Sequence, residues 1–140
     1  MKKVLILFFL LLVGISTNAQ DVFSATYYTD NGKKLYKLET PRYFTFNQQS
    51  IDRTEFSIIE NNVTLLNGYL TKSVILKTET INGLTTESRK ITVVDKNSSL
   101  QEYEFLFTVI VDALTNRVDK FIITSIVNES TKRSYLGSGI

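Results

Sequence analysis

Glu102 and Glu104 stand one residue apart in the stretch SLQEYEFLFTV, residues 99 to 109. On a β-strand successive side chains alternate faces, so the two carboxylates would share a face with Cα atoms roughly 6.5–7 Å apart. Glycosidases place two carboxyl groups at about that separation across the bond they cleave, so the pair raises a hydrolase reading. A second constellation lies in TTESRKITVV, residues 85 to 94, where Glu87 and Arg89 interrupt an apolar pattern. A guanidinium on an apolar face can hold a carboxylate or a phosphate. Which chemistry survives depends on the strand, and the face of it, that carries each residue.

Composition removes several classes at once. The chain has no cysteine, no histidine and no tryptophan. Thiol nucleophiles, serine–histidine triads, disulfides and imidazole or thiolate metal sites are therefore excluded. The opening MKKVLILFFLLLVGISTNAQ reads as an export leader: Lys2 and Lys3, an apolar run from Val4 to Val13, then small residues at Thr17 and Ala19. A run of this length is too short to cross a bilayer of roughly 30 Å as a helix. The expected division is a signal peptide over residues 1–19, cut after Ala19, and a single domain over residues 20–140. Removing Lys2 and Lys3 leaves 14 basic residues against 14 acidic ones. A neutral chain with no longer basic run than a pair lacks the footprint of a nucleic-acid binder.

The rest of the chain reads as strands. Turn signals recur at DNG (30–32), NN (61–62), NG (67–68 and 82–83), DKNSS (95–99), LTNR (114–117) and NES (128–130), between runs rich in Val, Ile, Thr, Tyr and Phe. The expected strands are Val22–Thr29, Lys33–Glu39, Tyr43–Asn47, Phe56–Glu60, Val63–Leu66, Tyr69–Ile81, Leu84–Val94, Leu100–Asp112, Val118–Val127 and Lys132–Leu136. Pro41 is expected to separate two of them, and Asp52 and Glu55 in DRTEFSII offer one short helical alternative. Tyr69–Ile81 would extend about 43 Å if straight, so long strands must curl, and a coiled meander that closes is the simplest solution.

Register can be read in the second half. A two-residue Asn82-Gly83 turn pairs Ile81 with Leu84, and hence Thr78 with Glu87, Leu76 with Arg89 and Val74 with Ile91. A loop at residues 95–99 would set Val94 against Leu100, Ile91 against Tyr103 and Arg89 against Phe105. Val74, Leu76, Ile91, Val93, Tyr103, Phe105, Phe107, Val109 and Val111 then share one face, which must be the core. Glu102 and Glu104 fall on the other face, with Lys90 opposite Glu104, as surface residues and not as a catalytic pair. That outer face also carries Tyr69, Ile75, Ile81, Leu84, Leu100, Leu106 and Ile110, which calls for cover by the first half of the chain or by a partner. For the step to the next strand, charge favours a connection over residues 113–116 that pairs Asp112 with Arg117 and turns Ile122 inward. A three-residue loop would turn Phe121 and Ile123 inward instead.

Glu87 and Arg89 remain on the apolar face. They define either a cavity with a polar handle, with Arg89 holding an anion, Tyr103 donating a hydrogen bond and Phe105 and Phe107 as walls, or an ion pair between residues two apart. Asp112, Asn116 and Asp119 could attract a cation, but a hairpin loop uses such residues for turn geometry. The sequence thus predicts a secreted or periplasmic, all-β antiparallel domain, a meander closing into a barrel or barrel-like sandwich of about eight to ten strands. It is expected to bind and not to catalyse, with no cofactor. Its general plan is similar to that of lipocalin-like barrels, without a family motif. One expected mode is carriage of a small amphipathic or anionic ligand at Arg89, Tyr103, Phe105 and Phe107. The alternative is an interaction or structural protein of the cell envelope using an outer sheet face or edge, in which case the interior should be solid.

Overall fold

A computed structural model describes residues 19–98, 101–128 and 130–138. The expected leader, apart from Ala19, lies outside the described residues. Eight strands follow one another: β1 (Ala19–Asp30), β2 (Leu35–Ser50), β3 (Arg53–Glu60), β4 (Val63–Ile81), β5 (Leu84–Asp95), β6 (Glu102–Asp112), β7 (Val118–Asn128) and β8 (Thr131–Ser138). Each pairs antiparallel with the next and β8 returns to β1, so the meander closes into a barrel. Among the described residues no helix is long and apolar enough to cross a membrane.

Asparagine and glycine supply the positive φ that tight hairpins need. Asn61 and Asn62 adopt φ of 51° and 62°, and Asn82 and Gly83 adopt 52° and 79°. The β1–β2 turn also seals the barrel: Asn31 N–H donates to the Lys132 carbonyl at 2.8 Å, and Lys132 N–H donates to Asn31 Oδ1 at 2.9 Å. We call this end, which also carries the β3–β4, β5–β6 and β7–β8 connections, the upper end. The β2–β3, β4–β5 and β6–β7 turns form the lower end.

Ten expected strands become eight because two breaks are absent. Pro41 sits inside β2, where pairing with β3 starts only at Arg42, so its missing N–H removes no ladder bond on that side. Asn67-Gly68 is not a turn. Gly68 lies within β4 against β5, where a Cβ would stand 2.3 Å from the Val94 carbonyl oxygen. The helical alternative at DRTEFSII is strand β3 after an Ile51-Asp52 turn.

Bulges account for most departures in register. Ile81 pairs with Leu84 and Thr78 with Glu87 as expected, but β4 slips at Leu76 and again at Thr71. Arg89 therefore faces Ile75, and Ile91 faces Ser73, which leaves Val74 and Leu76 exposed instead of in the core. Between β5 and β6 the true pairing is two residues along, with Val94 opposite Glu102, Ile91 opposite Phe105 and Arg89 opposite Phe107. A shift of two preserves the faces. The Asp112 N–H does donate to the Arg117 carbonyl at 2.9 Å, but a further irregularity between Ile110 and Val111 reverses β7, so Phe121 and Ile123 point inward and not Ile122.

Phe23, Phe44, Phe46, Phe56, Phe105, Phe107 and Phe121 fill the middle of the barrel, all below a tenth exposed. Phe46 stacks on Phe107 with ring centroids 5.2 Å apart, and Phe56 meets Phe105 at 5.3 Å. Burying each such ring is worth roughly 1.5–3 kcal/mol.

Candidate functional site

The four residues expected to form a ligand site lie on the inner face but play different parts. Phe105 and Phe107 belong to the aromatic packing, Phe107 lying 5.0 Å from Phe23 and 6.4 Å from Phe121 between ring centroids. Tyr103 is half-buried against the upper side of this core, opposite Val93. Arg89 sits beneath it, opposite Phe107. Tyr103 and Phe107 are four residues apart on β6, roughly 13 Å, and phenylalanine rings occupy the interval.

Arg89 is 4% exposed and Glu87 is wholly buried. Arg89 Nε donates to Glu87 Oε1 at 2.6 Å, and Nη1 donates to Ser73 Oγ at 2.9 Å. The β4 slip that expels Val74 brings Ser73 to this position. The ion pair weighed in the sequence is thus formed, and Ser73 is a partner that unbroken pairing could not reveal. Glu87 Oε2 is buried without a hydrogen bond. Gln48, Thr54 and Thr85 are buried polar residues toward the same lower end, and Asp21 lies near the start of β1 there. Burial pushes the Asp21 carboxyl above its ordinary value.

The upper rim carries a cluster that sequence reasoning missed. Arg133 binds Asp30 with both carboxylate oxygens, at 2.7 and 3.0 Å, across the β1–β8 seam. Its guanidinium also lies 4.7 Å from the centre of the Tyr28 ring. Arg42 Nε donates to Glu60 at 3.0 Å and Nη1 to the Tyr135 hydroxyl at 2.7 Å. The Arg133 hydrogen bonds hold the Asp30 carboxyl below its ordinary value. Asp30 and Arg133 are 103 residues apart and Arg42 and Tyr135 are 93 apart, so only closure of the barrel brings these partners together.

Glu102 and Glu104 are on the outer face. Lys90 Nζ pairs with Glu104 Oε2 at 3.0 Å, although Lys90 is in register with Leu106 and Glu104 with Thr92. A groove of about 200 Å³ beside them is lined by Lys90, Glu104, Phe105, Leu106, Thr124 and Lys132. Asp112 and Asn116 serve the β6–β7 turn: Asp112 Oδ1 accepts from the Leu114 N–H at 2.9 Å, and Asn116 takes φ of 58°.

A further open feature belongs to β4. It has 19 residues where its neighbour β3 has 8, and the last β3–β4 pair is Glu55 with Tyr69. Beyond it, residues 71–81 pair with β5 alone among the described residues. The β4–β5 hairpin therefore carries a strand edge without a partner among the described residues, with Val74, Ile75, Leu76, Ile81 and Leu84 between 39% and 58% exposed. Among the described residues, the first half of the chain closes the barrel and does not pair with this ribbon. Its signal in the sequence was the length of Tyr69–Ile81 itself. Comparison of the chain with protein-family models, with curated proteins and with solved structures gives no match.

Proposed function

We propose that this chain is a secreted or periplasmic, non-catalytic binding protein of the cell envelope that makes its contacts through the outside of the barrel, at the open edge of β4. The observation that carries the reading is the free run of residues 71–81, where unpaired backbone and exposed aliphatic side chains coincide. An uncovered edge is a template for another extended strand, and natural sheets otherwise cover or blunt it. The phenylalanine-packed interior supports the same choice, since carriers of small molecules keep pockets of about 300–1,000 Å³. The leader at residues 1–19 supports export.

A photo-reactive amino acid placed at Leu76, in the open edge, and separately at Lys33, in an upper-end turn, tests this in the producing cells. Specific adducts are expected from Leu76 and not from Lys33; equal labelling at both, or none at either, overturns the reading. A second reading, an interior carrier of an amphipathic anion, rests on the buried polar end around Arg89. It requires a fatty acid to raise the melting temperature of the wild type and not that of Arg89→Leu.

A further inference from the structure

We propose that the occupant of the β4 edge is the same edge of a second copy of this chain, joined antiparallel about a two-fold axis at Thr78. This inference rests on the edge-binding reading above and names its partner.

Hairpin geometry decides which backbone groups are available. Ile81 and Leu84 flank a two-residue turn, so they exchange both backbone hydrogen bonds. Counting back along the ladder, Glu79 opposite Thr86 and Lys77 opposite Ser88 also direct their N–H and C=O groups to β5. Thr80 and Thr78 point theirs off the open edge. The Thr80 and Thr85 hydroxyls, 2.9 Å apart, agree with the close side-chain approach of a pair that exchanges no backbone bonds.

When this edge meets its own copy, an outward-pointing residue must face another. The registers near the end of the ribbon that satisfy this are centred on Lys77, Thr78, Glu79 or Thr80. A centre at Lys77 sets two lysines against each other, and a centre at Glu79 sets two glutamates against each other. A centre at Thr78 places each Lys77 opposite Glu79 of the other copy, twice over. Like charges directly opposite destabilise a sheet and opposite charges stabilise it. A centre at Thr80 sets each Glu79 opposite Ile81 and forms no charge pair, so of the four registers charge favours Thr78.

The required groups are accessible. Lys77 and Glu79 side chains are 69% and 41% exposed, and within one chain they pair with each other at 3.0 Å. Both lie on the outer face, and a two-fold axis normal to the sheet keeps them on one face after pairing. An interface of this kind is isologous, so it closes at two copies and leaves no free end to propagate. The slip at Leu76 limits the paired segment at its inner end.

Sedimentation of the purified protein from micromolar to millimolar concentration tests the inference. The wild type is expected to pass from monomer to dimer. Lys77→Glu and Glu79→Lys should each weaken dimerisation about tenfold, because both cross-strand pairs turn repulsive. The exchanged double variant Lys77→Glu/Glu79→Lys should return to within about threefold of the wild type. Thr78→Pro, which removes an N–H aimed off the edge and none directed to β5, should abolish the dimer while the barrel stays folded by circular dichroism. A wild type that stays monomeric throughout, or a double variant no better than the singles, overturns the inference. Failure here with Leu76 adducts to a different protein leaves the edge-binding reading standing; absence of any Leu76 adduct removes that reading as well.

Discussion

Two arginine–carboxylate pairs inside the same barrel show what burial does to an identical chemistry. Arg89 and Glu87 sit two residues apart on β5 beneath the aromatic core, 4% and 0% exposed. Arg133 and Asp30 join the closing strands at the upper rim, each about a third exposed. The first pair was readable as neighbours in sequence; the second required the fold to close. The buried pair has lost its hydration and holds its place through Ser73 and Glu87, so its removal leaves an uncompensated charge. The rim pair keeps contact with water and remains open to titration.

The largest expected effect comes from splitting the buried pair. Arg89→Leu strands the Glu87 carboxylate in the interior and should lower the unfolding free energy by about 3–5 kcal/mol in urea titrations. Replacing both partners, Glu87→Leu with Arg89→Leu, should cost much less than the single change, because apolar groups of similar size leave nothing unpaired. A single-variant loss below about 1 kcal/mol, the range of exposed pairs, would break the contrast between the two ends.

That contrast also marks what the chain made legible. The alternation in β5 and β6 placed Glu87, Arg89, Ile91, Phe105 and Phe107 on one face, and a register error of two residues did not disturb it, because faces repeat every second residue. Where β4 inserts Leu76 and Thr71, the same reasoning misplaced Val74 and Leu76 and hid Ser73. At Ile110 one irregularity exchanged Ile122 for Phe121 and Ile123. Bulges accommodate the curl of the barrel, which is set by closure of the whole sheet and leaves little mark on any single strand. The upper rim was illegible for a related reason: Asp30, Arg42, Glu60, Arg133 and Tyr135 converge from β1, β2, β3 and β8.

Titration sharpens the comparison with a smaller effect. Hydrogen bonding from Arg133 lowers the Asp30 carboxyl below its ordinary 3.8, so the rim pair's stabilisation is complete above about pH 4 and is lost as pH falls through the lowered folded value. Asp21 at the lower end behaves oppositely. Desolvation raises its folded value, so no penalty exists while both states are protonated, and stability declines as pH rises from about 4 through the raised value. Melting temperatures between about pH 2 and 7 should therefore show Asp30→Asn losing stability at neutral pH and less at acid pH, and Asp21→Asn gaining on the neutral side. Equal shifts at every pH for both variants would contradict these assignments.

The smallest effects are expected on the outer face, where the two glutamates that first suggested catalysis provide the wet end of the series. Glu104 is 52% exposed and its partner Lys90 49%, so Glu104→Gln should change stability by less than about 1 kcal/mol. Glu102→Gln, on an exposed residue opposite Val94, should stay within about 0.5 kcal/mol. The chemistry points the same way as the energetics. A hydrolytic pair must flank the scissile bond, with one carboxyl group held protonated in a dry setting. These two project from one side of a single strand into solvent, and Glu104 is engaged by Lys90 at 3.0 Å. Assay of both variants on glycoside substrates settles the matter: any hydrolysis shown by the wild type should persist unchanged in each, and its loss in either would restore Glu102 and Glu104 as a catalytic pair.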